Sequence, residues 1–411
     1  MNYQITLLSP VHIGSGRALT PLDFALVNGG FAVMNLRKLL HAAPERAEEF
    51  ASQAVRQSSR FSLTDFLTEA ERRNSEFHHY CVALDRSNDT LLREEFEQKG
   101  AVDVAEVLKT PFDHQLYIPG SSLKGAFRTA FAYSVFRDDE KLFQTLKERL
   151  ENVDWSCSDE AVNDLIFWDD IRSPHVDLFR AFRISDSSSA AATPETLAIG
   201  ALRVLSLYEI RTEERPRQGT MFKQLEAIRH NLSTRERSPL KPGWTFVEVL
   251  PTDSAFQGSL ALDEQLLRHE SARKILRWNS RHHRMSWEAL IKAANTFAFD
   301  LCQWELDFFE TEVNGVDVAP IVGFYRNLRT QISQADSRQC FLRVGYGGGW
   351  HNLTIGLLAE KASDFNFRKL RKELRLAPNR LQFPYPKSRK LLMASAEAID
   401  APLGWIRLEC S

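Results

Sequence analysis

The sequence predicts an α+β protein, because short strand-like and helical segments follow one another without the strict alternation of a doubly wound fold. Hydrophobic residues make up 43% of the chain and aromatic residues 10%, which is ample for packed cores and argues against global disorder. The length of 411 residues exceeds the size at which a single core keeps growing, so we expect two domains.

The predicted strands are short apolar stretches bounded by turn-forming residues. They cover residues 3–8, 23–27, 31–34, 117–118, 179–184, 202–210, 244–250, 341–344 and 404–408. In the first of them, Ile5 and Leu7 fall on one face of the strand. The sequence Asn28-Gly29-Gly30 predicts a tight hairpin between the second and the third.

The predicted helices have a period of three to four residues in their apolar positions. They cover residues 36–73, a segment that begins near 121, and residues 220–230, 260–277 and 286–309. In the second of these, Leu123, Phe127 and Phe131 share one face, so this helix is expected to pack on an apolar surface. Ser121 or Ser122 is its expected N-cap.

Three glycine-rich segments are spread along the chain. They are Gly14-Ser15-Gly16, followed by Arg17; Gly120-Ser121-Ser122-Leu123-Lys124-Gly125; and Gly345-Tyr346-Gly347-Gly348-Gly349-Trp350. Because glycine has no Cβ, backbone N–H groups in such segments can come close to an anion. Taken singly each is an ordinary turn, and the first is too short to be specific. Together they indicate a surface that binds a long phosphate backbone.

The middle segment has further features of an anion site. A helix N-terminus favours anions through its unpaired N–H groups and its dipole. Lys124 and Arg128 lie one turn apart on that helix, and Gly125 costs roughly 1 kcal/mol relative to alanine, which suggests that something approaches closely there. The alternative is an ordinary helix start with two solvated basic side chains. The segment lacks the spacing of a Walker A loop.

The C-terminal segment combines glycines with aromatic and basic residues. Arg343, Tyr346, Trp350 and His351 surround its glycines. Phosphate contacts together with base stacking are the means by which proteins hold single-stranded RNA without reading its sequence. The alternative is a flexible hairpin tip.

The charge distribution also bears on nucleic-acid binding. The formal net charge of −2 excludes a uniformly basic binder, but not local basic patches. Residues 203–241 contain nine Lys or Arg and five Glu, a balance of +4, and residues 368–390 contain nine Lys or Arg and one Glu, a balance of +8. From these runs we select Arg217, Lys223, Lys387 and Arg389 as candidate RNA contacts, although a solvated helix face is the simpler explanation for either run alone.

The other functional signals are weak. His12 stands where a ribonuclease could place a general base, although a lone histidine is more often structural. The five cysteines are scattered, and neither they nor the His pairs have metal-ligand spacing, so we expect no metal and no cofactor. The chain has no apolar run long enough to span a membrane and no signal-like N-terminus, so we expect a cytoplasmic protein.

Six segments follow one another in an order that is familiar from a known family. They are residues 6–16 (TLLSPVHIGSG), 117–128 (YIPGSSLKGAFR), 183–187 (RISDS), 342–350 (LRVGYGGGW), 384–389 (PYPKSR) and 402–405 (PLGW). This order resembles the RAMP proteins of CRISPR systems, and most closely the family of the fifth subunit of the type III-A effector, the Csm complex. The resemblance covers the chain from start to end, and its middle and C-terminal glycine segments are the most specific parts.

The resemblance implies a fold, a position and partners. It implies two ferredoxin-like, RRM-type (RAMP) domains with helical insertions, which we place at residues 1–195 and 196–411, with the glycine loops lining an RNA groove. It implies a subunit at the end of the effector filament that covers the 3′ portion of the CRISPR RNA and is needed for its maturation. Other Csm-type RAMP subunits are its expected partners, with target RNA and host ribonucleases as further candidates.

Intrinsic catalysis is not expected, because relatives of this kind have no clear nuclease site of their own. The alternative is a metal-independent endoribonuclease that processes CRISPR precursor RNA, with His12 as general base and the glycine-loop amides and Lys124 stabilising the reacting phosphate. A scaffold that contacts only protein neighbours is a third possibility.

Overall fold

The computed structural model of the chain describes residues 1–57, 61–152, 158–168, 174–189, 191–209, 220–222, 243–278, 281–310, 316–377, 381 and 384–411. The strands in these ranges are β1 (Asn2–Leu7), β2 (Gly14–Leu19), β3 (Phe24–Val27), β4 (Gly30–Met34), β5 (His78–Ala83), β6 (Val104–Val107), β7 (Tyr117–Ile118), β8 (Phe182–Ile184), β9 (Ser187–Ser188), β10 (Ala198–Glu209), β11 (Thr220–Phe222), β12 (Thr245–Val249), β13 (Ala255–Leu262), β14 (Gln339–Arg343), β15 (Ser388–Met393), β16 (Ile399–Ala401) and β17 (Trp405–Cys410).

The helices in the described ranges are α1 (Leu36–Ala42), α2 (Glu45–Gln57), α3 (Leu63–Phe66), α4 (Glu69–Arg73), α5 (Arg86–Lys99), α6 (Gly120–Asp138), α7 (Glu140–Asn152), α8 (Ser158–Asn163), α9 (Glu264–Arg268), α10 (Glu270–Ile275), α11 (Trp287–Glu310), α12 (Ala319–Ser333), α13 (Gly349–Leu353), α14 (Gly356–Lys361) and α15 (Phe367–Glu373). Local chemistry sets many of their ends. The Asp85 side chain caps the start of α5, and Gly100, with φ 73°, ends it in the left-handed conformation.

The described strands form two large sheets and one small one. The first sheet has the order β14-β17-β1-β13-β9-β7, with β8 also paired to β13. The second has the order β16-β15-β10-β12-β6-β2, with β11 paired to β10, and the third is the antiparallel set β3-β4-β5. All pairs are antiparallel except β12 with β6. This mixture of sheets and helices confirms the α+β prediction.

Two apolar cores position the glycine segments. In the first core, Tyr3, Ile5 and Leu7 of β1 pack with the apolar face of α6, as alternation in the strand and periodicity in the helix dictate. In the second core, α11 and α12 cover strands β10, β15 and β16 together with Trp405. The free backbone groups of edge strand β14 are satisfied by the Asn295 side chain of α11, which donates to Gln339 O and accepts from Phe341 N.

The segment between β1 and β2 crosses from the first sheet to the second. Leu8 N donates to Trp405 O in the first sheet at 2.9 Å, and Val11 N donates to Leu250 O beside the second at 2.9 Å. His12 therefore lies at the junction of the two sheets. Each large sheet contains strands from both sides of residue 196, and the domain division at that position stays a prediction.

Several local predictions are confirmed and others are wrong. The hairpin over 23–34 forms as β3 and β4, and the helix predicted over 286–309 forms as α11. The strand predicted over 179–184 is shorter than expected, because residues 178–181 form a 3₁₀ turn and only β8 is extended. The helix predicted over 260–277 is wrong at its start, because residues 260–262 are the end of β13, and helices α9 and α10 follow. β13 is a strand because its backbone pairs with the central strand β1, a long-range contact that local periodicity does not report.

Two further predictions concern single elements. Neither Ser121 nor Ser122 caps α6, which begins one residue earlier, at Gly120, with Pro119 as an N-cap that supplies no side-chain bond. Of the helix predicted over 220–230, residues 220–222 form β11, and the remainder lies outside the described residues. Among the described helices, none combines the length and the apolar character needed to cross a membrane.

Candidate nucleic-acid interface

The C-terminal glycine segment is an ordered loop between β14 and α13. Gly345 adopts φ 72°, and a Cβ at this position would lie 2.3 Å from His12 O, so only glycine fits. The next amide, Tyr346 N, donates to the same His12 oxygen at 2.8 Å. These contacts favour a fixed loop over a flexible hairpin tip.

A buried charge cluster holds this loop from below. Glu305 of α11 accepts from Arg343 Nη1 at 3.0 Å and from Arg389 Nε at 2.5 Å, and all three side chains are at most 6% exposed. Arg343 also donates to Leu403 O at 3.0 Å and to Gly347 O at 3.2 Å. Burial lowers the pKa of Arg389, and Glu305 opposes that shift. Both arginines were predicted as RNA contacts, and the structure places them beneath the loop.

Aromatic side chains and a lysine flank the loop on its open side. Trp350 is half-buried, with its ring centroid 5.3 Å from that of Tyr385. The Lys390 ammonium hydrogen-bonds the Tyr346 hydroxyl and lies 4.0 Å from the centre of its ring. His351 is buried, and its Nε2 lies 2.7 Å from Glu360 Oε2. Lys387 directly precedes β15 and is partly exposed.

The middle glycine segment forms the first turns of α6, and its start is tightly packed. A Cβ on Gly120 would lie 2.4 Å from Ile184 O, and Gly120 N donates to Asp186 Oδ1 at 2.8 Å. A carboxylate of the chain thus occupies the first position of this helix N-terminus. Ser121 is exposed and Ser122 is partly exposed. A Cβ on Gly125 would meet no described atom within 4 Å.

The two basic side chains of α6 differ in their surroundings. Arg128 pairs with Asp177 at 2.8 Å, donates to Asn163 Oδ1 at 2.9 Å, and lies 3.6 Å from the centre of the Phe167 ring. It is therefore a packed structural group. Lys124 is partly exposed, and burial lowers its pKa while Asp177 opposes that shift.

The first glycine segment is not a turn but part of β2, at the edge of the second sheet. Gly14, Ser15, Gly16 and Arg17 are all exposed, and the strand has an irregularity between Gly14 and Ala18. Such an irregularity often requires a residue with positive φ, and Gly16 supplies it with φ 85°. Arg17 forms an ion pair with Asp23, and Ser15 Oγ donates to Glu106 at 3.0 Å.

His12 is buried at 4% exposure between these segments. Its Nδ1 lies 2.7 Å from Glu248 O, and because a carbonyl can only accept, Nδ1 carries the proton. Burial lowers the pKa of His12, so the ring is neutral at neutral pH, with Nε2 as its acceptor nitrogen.

The buried Glu248 carboxylate organises the region around His12. It accepts from Tyr80 at 2.6 Å, from Lys109 at 2.5 Å and from Val107 N at 2.9 Å. Burial and the Glu248 charge raise the pKa of Tyr80, which therefore stays a hydrogen-bond donor. This network joins β5, β6 and β12 beneath the segment that carries His12.

The fold brings residues that flank the first and the middle glycine segments to the third segment. His12, two residues before the first segment, contacts Gly345 and Tyr346 of the third. Arg128 of α6 and Trp350 of the third line one apolar cavity of about 320 Å³. Of the remaining predicted contacts, Arg217 and Lys223 lie outside the described residues.

Sequence reasoning missed an exposed aromatic side chain near the first segment. Phe112 is 97% exposed at the tip of the hairpin over 109–116. The His114 ring on the same hairpin lies 5.2 Å from that of His79. Burial lowers the pKa of His79, and the charges of His114, Lys38 and Arg17 lower it further, which places four basic groups together. An aromatic residue inside the turn sequence Thr110-Pro111-Phe112-Asp113 was the available signal.

Within the described part of the chain, no three His, Cys, Asp or Glu side chains are grouped in a way that could hold a metal ion. The chemistry available at the joined segments is that of basic groups, aromatic rings and glycine backbone. These are the groups with which proteins hold single-stranded nucleic acid.

Comparison with known proteins identifies the family. The family model of the RAMP superfamily matches residues 4–350. The chain therefore belongs to the RAMP superfamily.

The individual matches are more specific. The CRISPR system Cms protein Csm5 of Streptococcus thermophilus is 30% identical over 190 residues, which cover 44% of this chain and 49%, or about half, of that relative. The protein of the same name from Methanocaldococcus jannaschii is 23% identical over 432 aligned residues, which cover 99% of this chain and 88% of that one. These matches confirm the predicted resemblance to the Csm5 family of type III-A systems.

Two solved structures share the fold over the whole chain. A chain of the cryo-EM structure of a Csm-crRNA-target RNA ternary complex from a type III-A CRISPR-Cas system has a TM-score of 0.67 at 20% identity, with full coverage of both chains. The crystal structure of T.onnurineus Csm5 has a TM-score of 0.62 at 17% identity, covering 98% of this chain and 99% of that one.

Proposed function

We propose that this chain is the CRISPR-RNA-binding subunit of a type III-A (Csm) effector complex in the cytoplasm. It covers the 3′ portion of the guide RNA at the end of the filament and is required for maturation of that RNA in antiviral defence. The observation that carries the proposal is that His12, two residues before the first glycine segment, contacts Gly345 of the third, and that α6, which begins with the middle segment, shares a cavity with Trp350. The likeness to a chain of a Csm-crRNA-target RNA complex supports the choice of partner.

The proposal also assigns the two predicted ferredoxin-like domains, residues 1–195 and 196–411, to one groove. The first supplies the glycine segments at 14–16 and 120–125, and the second supplies the loop at 345–349. Neighbouring RAMP subunits of the filament are the protein partners, and target RNA and host ribonucleases approach from the open side.

The geometry separates the residues that contact RNA from those that support them. Lys124, Arg17 and Lys387 are exposed or partly exposed and are the expected phosphate contacts, with stacking from Trp350 and Phe112. The packed arginines Arg128, Arg343 and Arg389 fix the shape of the groove.

The test is the RNA that co-purifies with the tagged chain from cells that express the whole effector. Repeat–spacer fragments in a fixed register are expected on sequencing, and random fragments would refute the proposal. Binding of single-stranded RNA to the Lys124→Ala variant should weaken for all sequences, and the slope of log affinity against log salt should fall by about 0.7 for the lost phosphate contact. Lys292→Ala, which changes an exposed lysine of α11, is the matched control.

The alternative function, a metal-independent endoribonuclease, has one observation in its favour. The Nδ1–H bond to Glu248 O leaves His12 Nε2 as an unprotonated base. Incubation with repeat RNA in EDTA decides between the two functions: cleavage at a fixed site that is lost in His12→Asn supports the enzyme, and intact, bound RNA supports the binding subunit.

A further inference from the structure

A cavity of about 330 Å³ lies beside the C-terminal glycine loop. Its aromatic walls are Trp304, Tyr346, Trp350 and Tyr385, and Lys390 and Arg389 stand at one side. Pockets for small organic ligands occupy about 300–1,000 Å³, so this volume suits one ligand of nucleotide size and not two. The rigid loop, fixed by Gly345 and Tyr346 against His12, forms its rim.

The buried charges below this cavity are not balanced. Two guanidinium groups, of Arg343 and Arg389, share the single Glu305 carboxylate, so the cluster carries a formal charge of +1. Arg389 Nη2 makes no hydrogen bond within the part of the chain that the structure describes. A buried charged donor without a partner is costly.

The other charged groups at the cavity do not remove this excess. Glu360 bonds His351 Nε2 at 2.7 Å and also faces Arg371, so it already has basic partners. Lys390 adds a further cation beside Arg389, and within the described residues its ammonium donates to the Tyr346 hydroxyl, which brings no counter-charge. An anion in the cavity would offset the charge.

The aromatic walls specify more than an anion. The ring centroids of Trp350 and Tyr385 are 5.3 Å apart, with an angle of 69° between the ring planes, and the Arg389 guanidinium lies 4.1 Å from the centre of the Trp304 ring, which also lines the cavity. Flat aromatic faces beside a cation are the surroundings in which proteins hold an unstacked base together with its phosphate.

We infer that this cavity binds one nucleotide unit of RNA, with the phosphate at Lys390, where the buried charge of Arg389 attracts it from below without direct contact, and the base against Trp350 and Tyr385. The inference rests on the proposed function, which it deepens: the loop does not only follow the backbone but takes one nucleotide out of the strand. The cavity would fix the register of the RNA on the subunit without reading a long sequence.

Titration calorimetry of the full chain with adenosine 5′-monophosphate, adenosine and inorganic phosphate tests the inference. The nucleotide should bind at least about tenfold more tightly than either part alone, because phosphate and base each contribute. Lys390→Met and Tyr385→Leu should each weaken nucleotide binding at least about tenfold. Lys390→Arg, which keeps the charge and a cation–π contact with Tyr346, and Tyr385→Phe, which keeps the ring, should bind the nucleotide within about threefold of the parent chain, and Lys292→Met is the surface control.

Several outcomes overturn the inference. One is that inorganic phosphate binds as tightly as the nucleotide and that Tyr385→Leu does not change its binding. Another is that Lys390→Met and Tyr385→Leu melt at the same temperature as the parent chain and bind the nucleotide equally well. If Lys390→Met or Tyr385→Leu does not fold, the variant that keeps the charge or the ring still tests the assignment. Lys390→Arg or Tyr385→Phe that folds but does not bind the nucleotide would contradict it. Normal binding of guide RNA by both loss variants overturns the cavity and leaves the proposed function standing. If the variants change nucleotide binding as expected but the chain never co-purifies with guide RNA, the nucleotide site is supported and the proposed function is refuted.

Discussion

Removal of the Glu305 charge is the sharpest test of how the glycine loop is held. In Glu305→Gln, the Arg343 and Arg389 guanidiniums would remain buried without a counter-charge. Breaking a buried pair by removing one partner costs about 3–5 kcal/mol, and two charge-assisted hydrogen bonds of about 1.5–3 kcal/mol each give a similar figure. We therefore expect the free energy of unfolding to fall by about 3–5 kcal/mol.

The measurement is urea unfolding followed by tryptophan fluorescence, with the midpoint and slope compared between variant and parent. Glu310→Gln is the matched control, because Glu310 lies on the same helix and pairs with Arg326 at 2.9 Å on the surface. An exposed pair of this kind contributes at most about 1 kcal/mol. A loss below about 1 kcal/mol for Glu305→Gln, or one equal to that of the control, would refute the account of the buried cluster.

Three further predictions concern other parts of the site. In urea unfolding, Gly345→Ala should lower the free energy of unfolding by at least about 1–2 kcal/mol, because φ is positive and the methyl group would meet His12 O. Gly125→Ala should raise it by up to about 1 kcal/mol, because this helical position is open and alanine favours the helix. Thermal melts should show stability falling as the pH drops below about 6.5, because the folded state holds His12 neutral while the unfolded chain takes up the proton, and His12→Asn should flatten this dependence. Phe112→Ala should weaken single-stranded RNA binding in a gel-shift assay while changing stability by less than about 0.5 kcal/mol, with the exposed Ile275→Ala as control.

Each of these has a clear contrary result. Equal free energies of unfolding for Gly345→Ala and Gly125→Ala would contradict the conclusion that position 345 is packed and position 125 is open. A pH dependence that is identical in the parent and in His12→Asn would assign the acid sensitivity to other groups. RNA affinity unchanged by Phe112→Ala would remove the hairpin tip from the interface.

The sequence alone was sufficient where the signal is local. The hairpin over β3 and β4 follows from Asn28-Gly29-Gly30, and α11 follows from a long apolar periodicity, so both were predicted correctly. The order of the glycine segments along the chain was enough to indicate the family.

Local sequence patterns were insufficient where a contact with a residue far along the chain determines the structure. The end of β13, residues 260–262, was predicted as the start of a helix, but β13 pairs with β1. Ser121 and Ser122 were predicted as helix caps, but Asp186 accepts the hydrogen bond of the first amide of α6. Arg343 and Arg389 are predicted RNA contacts, and nothing in the local sequence indicates that both pair with Glu305 in the interior.

The sequence by itself determined the α+β composition, the glycine segments and the resemblance to RAMP proteins, because these depend on residue type and on spacing along the chain. Only the tertiary structure decided which basic side chains face the solvent and which are buried, and that His12 joins the first segment to the third. The physical reason is that burial and charge pairing depend on distances in space. Groups such as Arg389 and Glu305, which touch across 84 residues of chain, leave no local pattern from which their contact can be predicted.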